Sequence, residues 1–540
     1  MDCFSGLRCA KMFSRRLTRP DAECEASASL KALSRLNASR NQAGTGSMLD
    51  FNFMSLVVIF FQIYLFLTVV YLLLDNREPA ETFAWIFIFI LMPGVGVLIY
   101  FIAGHNGRRR YNRRDKLPQV LAKNLEPLFA DLQSDQERII ASVEDPHQTY
   151  RDDLMMLLYR NSRALITLNN RAEIFHDGRS QFEALIADLE SARHFIHMEY
   201  FIWHSGPDPL ALKIQEILVR KAREGVEVRI LYDFYGCFFK MSRAYRKKLQ
   251  EAGVRIYPFF NYLSSLRFHT VNHRNHRKIS IIDGRAAYVG GMNIGQEYID
   301  GGDRYPFWRD THIRFEGEAV RQLQAVYAID WFNTTHESVC FEPRYYAHLQ
   351  ECRSAPERGL AVQFPTSGYD TAWPALLHLY FAMITMAQKK ISIVSPYFVP
   401  EASLLTALKT AAMRGLEVTV LMTGRPDNPL PFWAAYSYFE ELLRAGVQIY
   451  QYQKGFMHAK MISIDGTVCS IGTTNFDNRS LKLNYEVNAV FYDEATARAL
   501  ERQIARDLED SRQVHLEDAE KIGMPVKLRN SMARLLSSIL

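Results

Sequence analysis

Cysteine is scarce in this chain of 540 residues. Its seven cysteines, at positions 3, 9, 24, 237, 340, 352 and 469, include no C-x-x-C pair. An odd and scattered set argues against a disulfide framework and a thiolate zinc site, and points to a reducing compartment. A dominant charge is also missing. Lysine and arginine number 64 against 59 aspartates and glutamates, a formal net charge of +5. That balance excludes a polycation that coats nucleic acid, and no stretch interleaves basic residues with stacking aromatics. No apolar run precedes Phe51, so a cleaved secretory signal is not expected. No cluster of His, Asp and Glu at metal-ligand spacing stands outside the two motifs described below, so neither a metal nor an organic cofactor is expected.

What the chain does have is hydrophobic length. Phe53 to Leu74 and Phe83 to Ala103 are nearly all apolar. Each is close to the roughly 20 residues that span a hydrocarbon core. Buried core helices are the plainer alternative. Aromatics near the ends (Phe51, Tyr71, Trp85, Tyr100) suit interfacial positions, and Pro93, Gly94 and Gly96 are tolerable within a membrane helix. The connector from Asp75 to Thr82 holds one basic residue, Arg77, whereas Arg108, Arg109, Arg110, Arg113, Arg114 and Lys116 follow the second run. The positive-inside rule then places the connector outside and the rest of the chain in the cytoplasm, its basic cluster on anionic headgroups. Residues 1–48 are polar and aperiodic, and read as a disordered tail or an overextended start.

One pattern occurs twice. His276-Arg277-Lys278 is followed by Asp283 and, after six intervening residues, by Gly290-Gly291-Met292-Asn293. His458-Ala459-Lys460 is followed by Asp465 and, after six intervening residues, by Gly472-Thr473-Thr474-Asn475. The flanks repeat as well: Gly225-Val-Glu-Val-Arg-Ile-Leu231 parallels Gly415-Leu-Glu-Val-Thr-Val-Leu421, and Ala252-Gly-Val-Arg-Ile-Tyr257 parallels Ala445-Gly-Val-Gln-Ile-Tyr450. Short β-branched runs of this kind are strands, and the amphipathic stretches between them are helices. The expected fold is two tandem α/β units related by a pseudo-dyad, with mixed, mostly parallel sheets, behind a hairpin of two membrane helices.

The motifs carry chemistry suited to a phosphodiester. Strand alternation puts His276 and Lys278 on one face, as it does His458 and Lys460. Two imidazoles can then serve as nucleophile and as general acid and base, while two ammonium groups hold phosphoryl oxygens. Asn293 and Asn475 add neutral donors for substrate. Asp283 and Asp465 complete the candidate catalytic set, although each precedes glycine at a strand end, where Asp-Gly is ordinary turn chemistry. Carboxylates to orient the histidines are expected one strand later, at Asp310 and Glu486. Weaker candidates are His273, Glu297, Tyr298, Asp477, Arg479 and Asp233, while Cys237 and Cys469 read as inert buried thiols. The last stretch, with Leu528, Met532, Leu535, Leu536 and Ile539 on one helical face, suits either an anionic lipid surface or the catalytic domain.

These motifs resemble the paired HKD motifs of the phospholipase D superfamily. Gly290-Gly-Met-Asn-Ile-Gly-Gln-Glu-Tyr298, Trp308-Arg-Asp-Thr-His312 and Asn475-Phe-Asp-Asn-Arg-Ser480 resemble bacterial cardiolipin synthases, and the resemblance covers roughly residues 50–540. It implies transfer of a phosphatidyl group between two phosphatidylglycerols, giving cardiolipin and glycerol, with phosphatidylglycerol and anionic lipid as partners and no nucleic acid. It implies His276 as nucleophile, forming a phosphatidyl-histidine, and His458 as the acid and base. Spacing alone leaves those two roles interchangeable. A phospholipase D using water or another acceptor, and a membrane-tethered nuclease, are the rival readings. The implied layout is a tail over 1–48, a membrane hairpin over 49–104, a basic connector over 105–162, phospholipase D-like units over 163–345 and 346–515, and an amphipathic segment over 516–540.

Overall fold

The computed structural model describes residues 53–74, 79–92, 94–100, 121–143, 151–260, 272–346, 359–368 and 371–535. The tail over 1–48, the basic cluster from Arg108 to Lys116, and Leu536 and Ile539 lie outside the described residues. The chain divides into two compact units, Met1–Tyr100 and Phe101–Leu540.

Among the described residues of the first unit, one helix, Phe53–Leu74, is long and apolar enough to cross a membrane, and most of its surface is exposed. The second apolar run is not a continuous helix among the described residues. Pro79–Leu91 is helical for 13 residues. Gly94 then adopts a left-handed φ of 80°, and a five-residue helix, Val95–Ile99, follows. A left-handed residue cannot carry a right-handed helix onward. Among the described residues, one helix of spanning length is therefore seen, and the second run of the expected hairpin is a shorter, interrupted helix.

The second unit holds two large sheets. Strands β1 (Asn170–Asp177), β2 (Phe195–Tyr200), β3 (Glu227–Asp233), β4 (Arg255–Phe259), β5 (Ile279–Ile282), β6 (Ala286–Gly290) and β7 (Trp308–Gly317) form the first, in the order β1-β7-β6-β5-β2-β3-β4. Strands β11 (Phe398–Val399) and β17 (Phe476–Asp477) pair by themselves, and the second large sheet contains β8 (Val362–Gln363), β9 (Thr366–Ser367, on β18), β10 (Lys390–Val394), β12 (Glu417–Thr423), β13 (Gln448–Tyr452), β15 (Met461–Ile464), β16 (Val468–Gly472), β18 (Glu486–Phe491) and β19 (Ser511–Val514). Its order is β19-β13-β12-β10-β15-β16-β18-β8. A short strand, β14 (Phe456–Met457), leaves the second half to pair with β7 of the first.

Helix-connected strands run parallel: β2, β3 and β4 in one sheet, β10, β12 and β13 in the other. Helix Pro209–Arg223 shows why the crossover forms. Asp208 caps it by accepting the Ala211 N–H, Pro209 opens it, and Leu210, Ile214 and Leu218 are buried. The motif strands behave differently. β5 meets β6, and β15 meets β16, antiparallel across tight Asp-Gly turns. Asp283 and Gly284 have φ of 53° and 63°, and Asp465 and Gly466 have 53° and 65°, the positive pair that a type I′ hairpin requires. Each loop leaves only three residues between paired strand ends, and a connection this short can join only antiparallel strands. Antiparallel pairings therefore outnumber parallel ones, which corrects the expectation of mostly parallel sheets.

The two sheets share a core. Ile279, Ile281, Val289 and Phe315 of the first cluster with Met461, Ile471, Val487 and Phe491 of the second, together with Trp331 and Leu500 from two helices. The last helix, Met524–Leu535, packs through its polar side. Arg529 lies 4.6 Å over the Trp433 ring and Arg534 lies 4.5 Å over Tyr438. Leu528, Met532 and Leu535 remain exposed.

Candidate active site

Each motif begins where its half of the chain touches the other. Asn275 bridges Tyr485 in parallel, and the His276 N–H donates to the Tyr485 carbonyl at 2.9 Å. β14 pairs Phe456 with Trp308 and Met457 with Arg309, and the His458 N–H donates to the Arg309 carbonyl at 2.7 Å. The residue after each of those carbonyls is an acid. Backbone pairing thus delivers Glu486 to His276 and Asp310 to His458. Glu486 Oε2 lies 3.0 Å from His276 Nδ1. Asp310 Oδ2 lies 2.6 Å from His458 Nδ1. Each imidazole is held by a carboxylate of the opposite half, and both carboxylates are fully buried. A carboxylate on Nδ1 leaves Nε2 as the reactive nitrogen.

Both lysines sit between these pairs. Lys278 and Lys460 are 0% and 1% exposed, and each ammonium donates to the carbonyl of its own motif histidine. Burial pushes Lys278 down to about 7, with Lys460 adding to the shift and Glu486 opposing it. Burial likewise lowers Lys460 to about 8. His276 is pushed down to about 4 by burial, against the pull of Glu486. Burial and Lys460 also lower His458, against Asp310. Burial opposes the ionised forms of Glu486 and Asp310, yet the facing histidines and lysines hold both below the usual carboxylate range. Lys278 feels Lys460, Glu486 and Asp310 together, so the two motifs form one electrostatic site.

Asp283 and Asp465 stand at the opposite ends of β5 and β15. The Asp283 carboxylate accepts the backbone N–H groups of Arg193, His194 and Phe195, each at 2.8 Å. Asp465 accepts those of Gln388, Lys389 and Lys390 at 2.9, 2.8 and 2.8 Å. They fasten the turn before the neighbouring strand and do not join the histidines. Asn293 is also committed: its oxygen accepts the Ile202 N–H at 3.0 Å and its amide donates to the Tyr298 hydroxyl at 2.6 Å. Asn475 differs, since its side-chain oxygen is buried without a hydrogen-bond partner.

The weaker candidates are mostly braces. His273 Nδ1 lies 3.0 Å from the Leu483 carbonyl, and Arg479 donates to the Asn272 carbonyl and side chain at 2.9 and 2.8 Å. These tie the segment before the first motif to the second half. Asp233 accepts the Asn275 N–H at 2.9 Å, and Asp477 accepts the Ser480 N–H at 2.7 Å. Burial raises both carboxyls to about 6. Cys237 and Cys469 are buried, and burial pushes both thiols up.

Several contributors escape the motif pattern. Phe201 stands edge-on to His276 at 4.9 Å, while Trp308 and Phe456 flank His458 at 5.5 and 5.7 Å. The signal for Phe456 was its place two residues before His458, on the same strand face. The Thr473 hydroxyl donates to Glu486. At the matching place in the first copy, a Cβ on Gly291 would lie 2.0 Å from Asp310 Oδ1. Arg277 pairs with Asp330 and also donates to the carbonyls of Glu486 and Ser367 at 3.3 and 3.2 Å. Arg309 forms a buried fork on Asp507, with contacts of 2.9 and 2.8 Å.

Among the described residues, one group of three, His204, Asp208 and Glu297, has ligand atoms close enough to hold a metal ion. Its atoms have structural tasks. Asp208 accepts the N–H groups of Ala211 and Gln296, both at 2.8 Å, and Glu297 lies 3.0 Å from His204 Nε2.

Known proteins share this architecture and sequence. The family model described as cardiolipin synthase, PLD-like domain matches residues 185–303 and 380–508. A phospholipase D-nuclease N-terminal model matches 56–105. Cardiolipin synthase 2 of Bacillus anthracis is 39% identical over 480 residues, covering 89% of this chain and 91% of that protein. The major cardiolipin synthase of Bacillus subtilis is 35% identical over 495 residues, covering 90% and 99%. Phosphatidylserine synthase of Haemophilus influenzae superposes with a TM-score of 0.52 at 15% identity, covering 68% of this chain and 95% of that one, and so shares the fold. With relatives this similar over nearly their whole length, the chain belongs to the phospholipase D-like cardiolipin synthases.

Proposed function

We propose that the chain is a phosphatidyltransferase that makes cardiolipin and glycerol from two molecules of phosphatidylglycerol. Nε2 of His276 attacks phosphorus of the first lipid and forms a P–N bond. The P–O bond to the headgroup glycerol breaks, and His458 gives its Nε2 proton to the departing oxygen. A terminal hydroxyl of the second lipid then attacks phosphorus. His458 takes the hydroxyl proton, the P–N bond breaks, and His276 returns to its starting state. Lys278 and Lys460 offset charge on the non-bridging oxygens. Phe201, Trp308 and Phe456 keep the rings in apolar surroundings, where water competes poorly as acceptor. Asp283 and Asp465 act as fasteners of their turns, and Asn475 is the better candidate of the two asparagines for contact with substrate.

The observation that carries this reading is the crossed pairing of each histidine with the other half's carboxylate. The two pairs are unequal. Asp310 stands 2.6 Å from His458, which favours imidazolium there. Glu486 stands 3.0 Å from His276 and also accepts from Thr473 and Asn484. Sharing its charge makes Glu486 the weaker base and keeps His276 neutral, as a nucleophile must be. The helix Phe53–Leu74 holds the enzyme in the membrane that contains its diacyl substrates. The six basic residues from Arg108 to Lys116 support a cytoplasmic side for the catalytic unit by the positive-inside rule.

The test is the full-length protein in proteoliposomes with labelled phosphatidylglycerol. Cardiolipin and glycerol should appear in equal amounts. Phosphatidic acid as the main product would overturn the transfer reading in favour of hydrolysis. Cardiolipin formed only when phosphatidylethanolamine is present would overturn the acceptor.

A further inference from the structure

The loop between β3 and helix Arg243–Glu251 holds aromatic rings out into solvent. Tyr235 is 62% exposed, Phe238 54% and Phe239 93%. The loop is firmly built at its base. Asp233 accepts the Gly236 N–H at 2.8 Å, and the Trp203 N–H donates to Cys237 Sγ at 3.2 Å. The Met241 N–H closes the turn on the Cys237 carbonyl at 2.9 Å. Cys237 and Met241 point inward and are buried. Phe238 and Phe239 point outward, their rings packed on each other at 4.8 Å. Exposed neighbouring phenylalanines on a fixed turn mark a contact surface.

The loop's position ties it to the site. Gly236 lies so close to Phe201 that a Cβ there would meet the Phe201 carbonyl oxygen at 2.3 Å. Phe201 is the ring edge-on to His276. Asp233, at the base of the loop, also accepts the N–H of Asn275, the residue before His276. The charge around the rings is predominantly basic. Lys240, Arg243, Lys247 and Lys248 are exposed, and Glu251 is the sole acid on the following helix. Arg274 stacks over Tyr235 at 4.0 Å. Aromatic tips inside a basic collar are complementary to an anionic bilayer, whose interface takes aromatic rings and whose phosphates take cations.

We propose that Tyr235 to Met241 is a membrane wedge. Phe238 and Phe239 enter the interfacial layer of an anionic bilayer, Lys240, Arg243, Lys247 and Lys248 meet its headgroups, and the approach to His276 is thereby held at the membrane surface. The proposal rests on the reading that the substrates are bilayer lipids.

The experiment uses the full chain in nanodiscs containing phosphatidylglycerol, with Cys3, Cys9, Cys24 and Cys352 replaced by Ser. A Phe239→Cys variant carries an environment-sensitive fluorophore, and a Ser191→Cys variant, at the Asp283 end of the sheet, serves as control. The label at 239 should shift to the blue and be quenched by lipids brominated on their acyl chains, while the label at 191 should do neither. Equal, water-like emission at both positions would overturn the wedge. A blue shift that depends on protein concentration and ignores brominated lipid would also overturn it, and would assign the loop to a second copy of the chain. This readout needs no turnover, so it stands or falls apart from the reaction catalysed. The double variant Phe238→Ser, Phe239→Ser should lower the ratio of turnover on bilayer lipid to turnover on soluble short-chain lipid by at least tenfold. An unchanged ratio would count against the proposal.

Discussion

Lys278 and Lys460 are the residues whose proposed service to the reaction most opposes their service to the fold. Burial lowers them to about 7 and about 8, whereas an unfolded lysine titrates near 10.4. Above pH 7 the unfolded chain therefore binds more protons than the folded one, and stability rises with pH. The raised Asp233 and Asp477 titrate mostly below that window, and the thiols of Cys237, Cys340 and Cys469, raised by burial, oppose the two lysines only as pH nears the ordinary thiol value of about 8.5. Activity runs the other way, because each lysine loses its charge as pH climbs through its folded value. Between pH 7 and 9, Tm should rise while kcat/KM falls; parallel movement of the two would contradict this assignment. Lys278→Met should cost about 100-fold or more in kcat while leaving Tm unchanged or raised, since an apolar chain replaces a buried charge. Thr473 offers a finer probe. Thr473→Val keeps the shape but removes the donor to Glu486. Glu486 becomes more basic, and His276 should rise from its value of about 4. The acid limb of kcat/KM should move toward neutral pH, and an unmoved limb would show that the hydroxyl does not tune the histidine.

At the scale of the element, strand, turn and Asn offset recur in both copies because each copy is the same hairpin. Asp283 with Gly284, and Asp465 with Gly466, hold positive φ at two consecutive residues. That much was legible from the Asp-Gly pair alone. The direction of the strands was less so. Alternating strands and helices correctly foretell the parallel trio β2, β3 and β4, but the hairpins that follow reverse the chain and make the sheet mixed. The Asp283 carboxylate accepts three backbone N–H groups, so its loss is a loss of stability. Asp283→Ala should destabilise by about 3 kcal/mol, removing charge-assisted bonds and placing a Cβ-bearing residue at positive φ without a side chain that favours it. Asp283→Asn should cost less. Both should keep their turnover per folded molecule, measured against the folded fraction from thermal melts. A hundredfold fall in turnover at full folding would return Asp283 to the reaction.

The whole molecule supplies what neither half contains. A histidine and its carboxylate lie 210 residues apart in one pair and 148 in the other. Spacing along the chain pointed to Asp310 and Glu486, but not to which histidine each would hold. That depends on β14 crossing to β7 and on Asn275 bridging Tyr485, contacts that exist only once the halves face each other. Buried Arg309 on Asp507, and Arg277 on the carbonyls of Glu486 and Ser367, tighten the same boundary. The crossing makes a prediction that same-half pairing would reverse. Asp310→Asn should impair His458, the proposed proton donor, and so slow lipids whose leaving group needs a proton. With a para-nitrophenyl headgroup, which departs without one, the Asp310→Asn enzyme should recover most of its rate of adduct formation. Glu486→Gln should impair His276, the proposed nucleophile, and the same substrate should not rescue it. Rapid mixing with labelled lipid and an alkaline quench, which preserves phosphohistidine, reads the adduct in each variant. Rescue of Glu486→Gln with no rescue of Asp310→Asn would exchange the two histidines' roles. Rescue of neither would mean that both carboxylates serve the nucleophile, and the division of labour would then have to be abandoned.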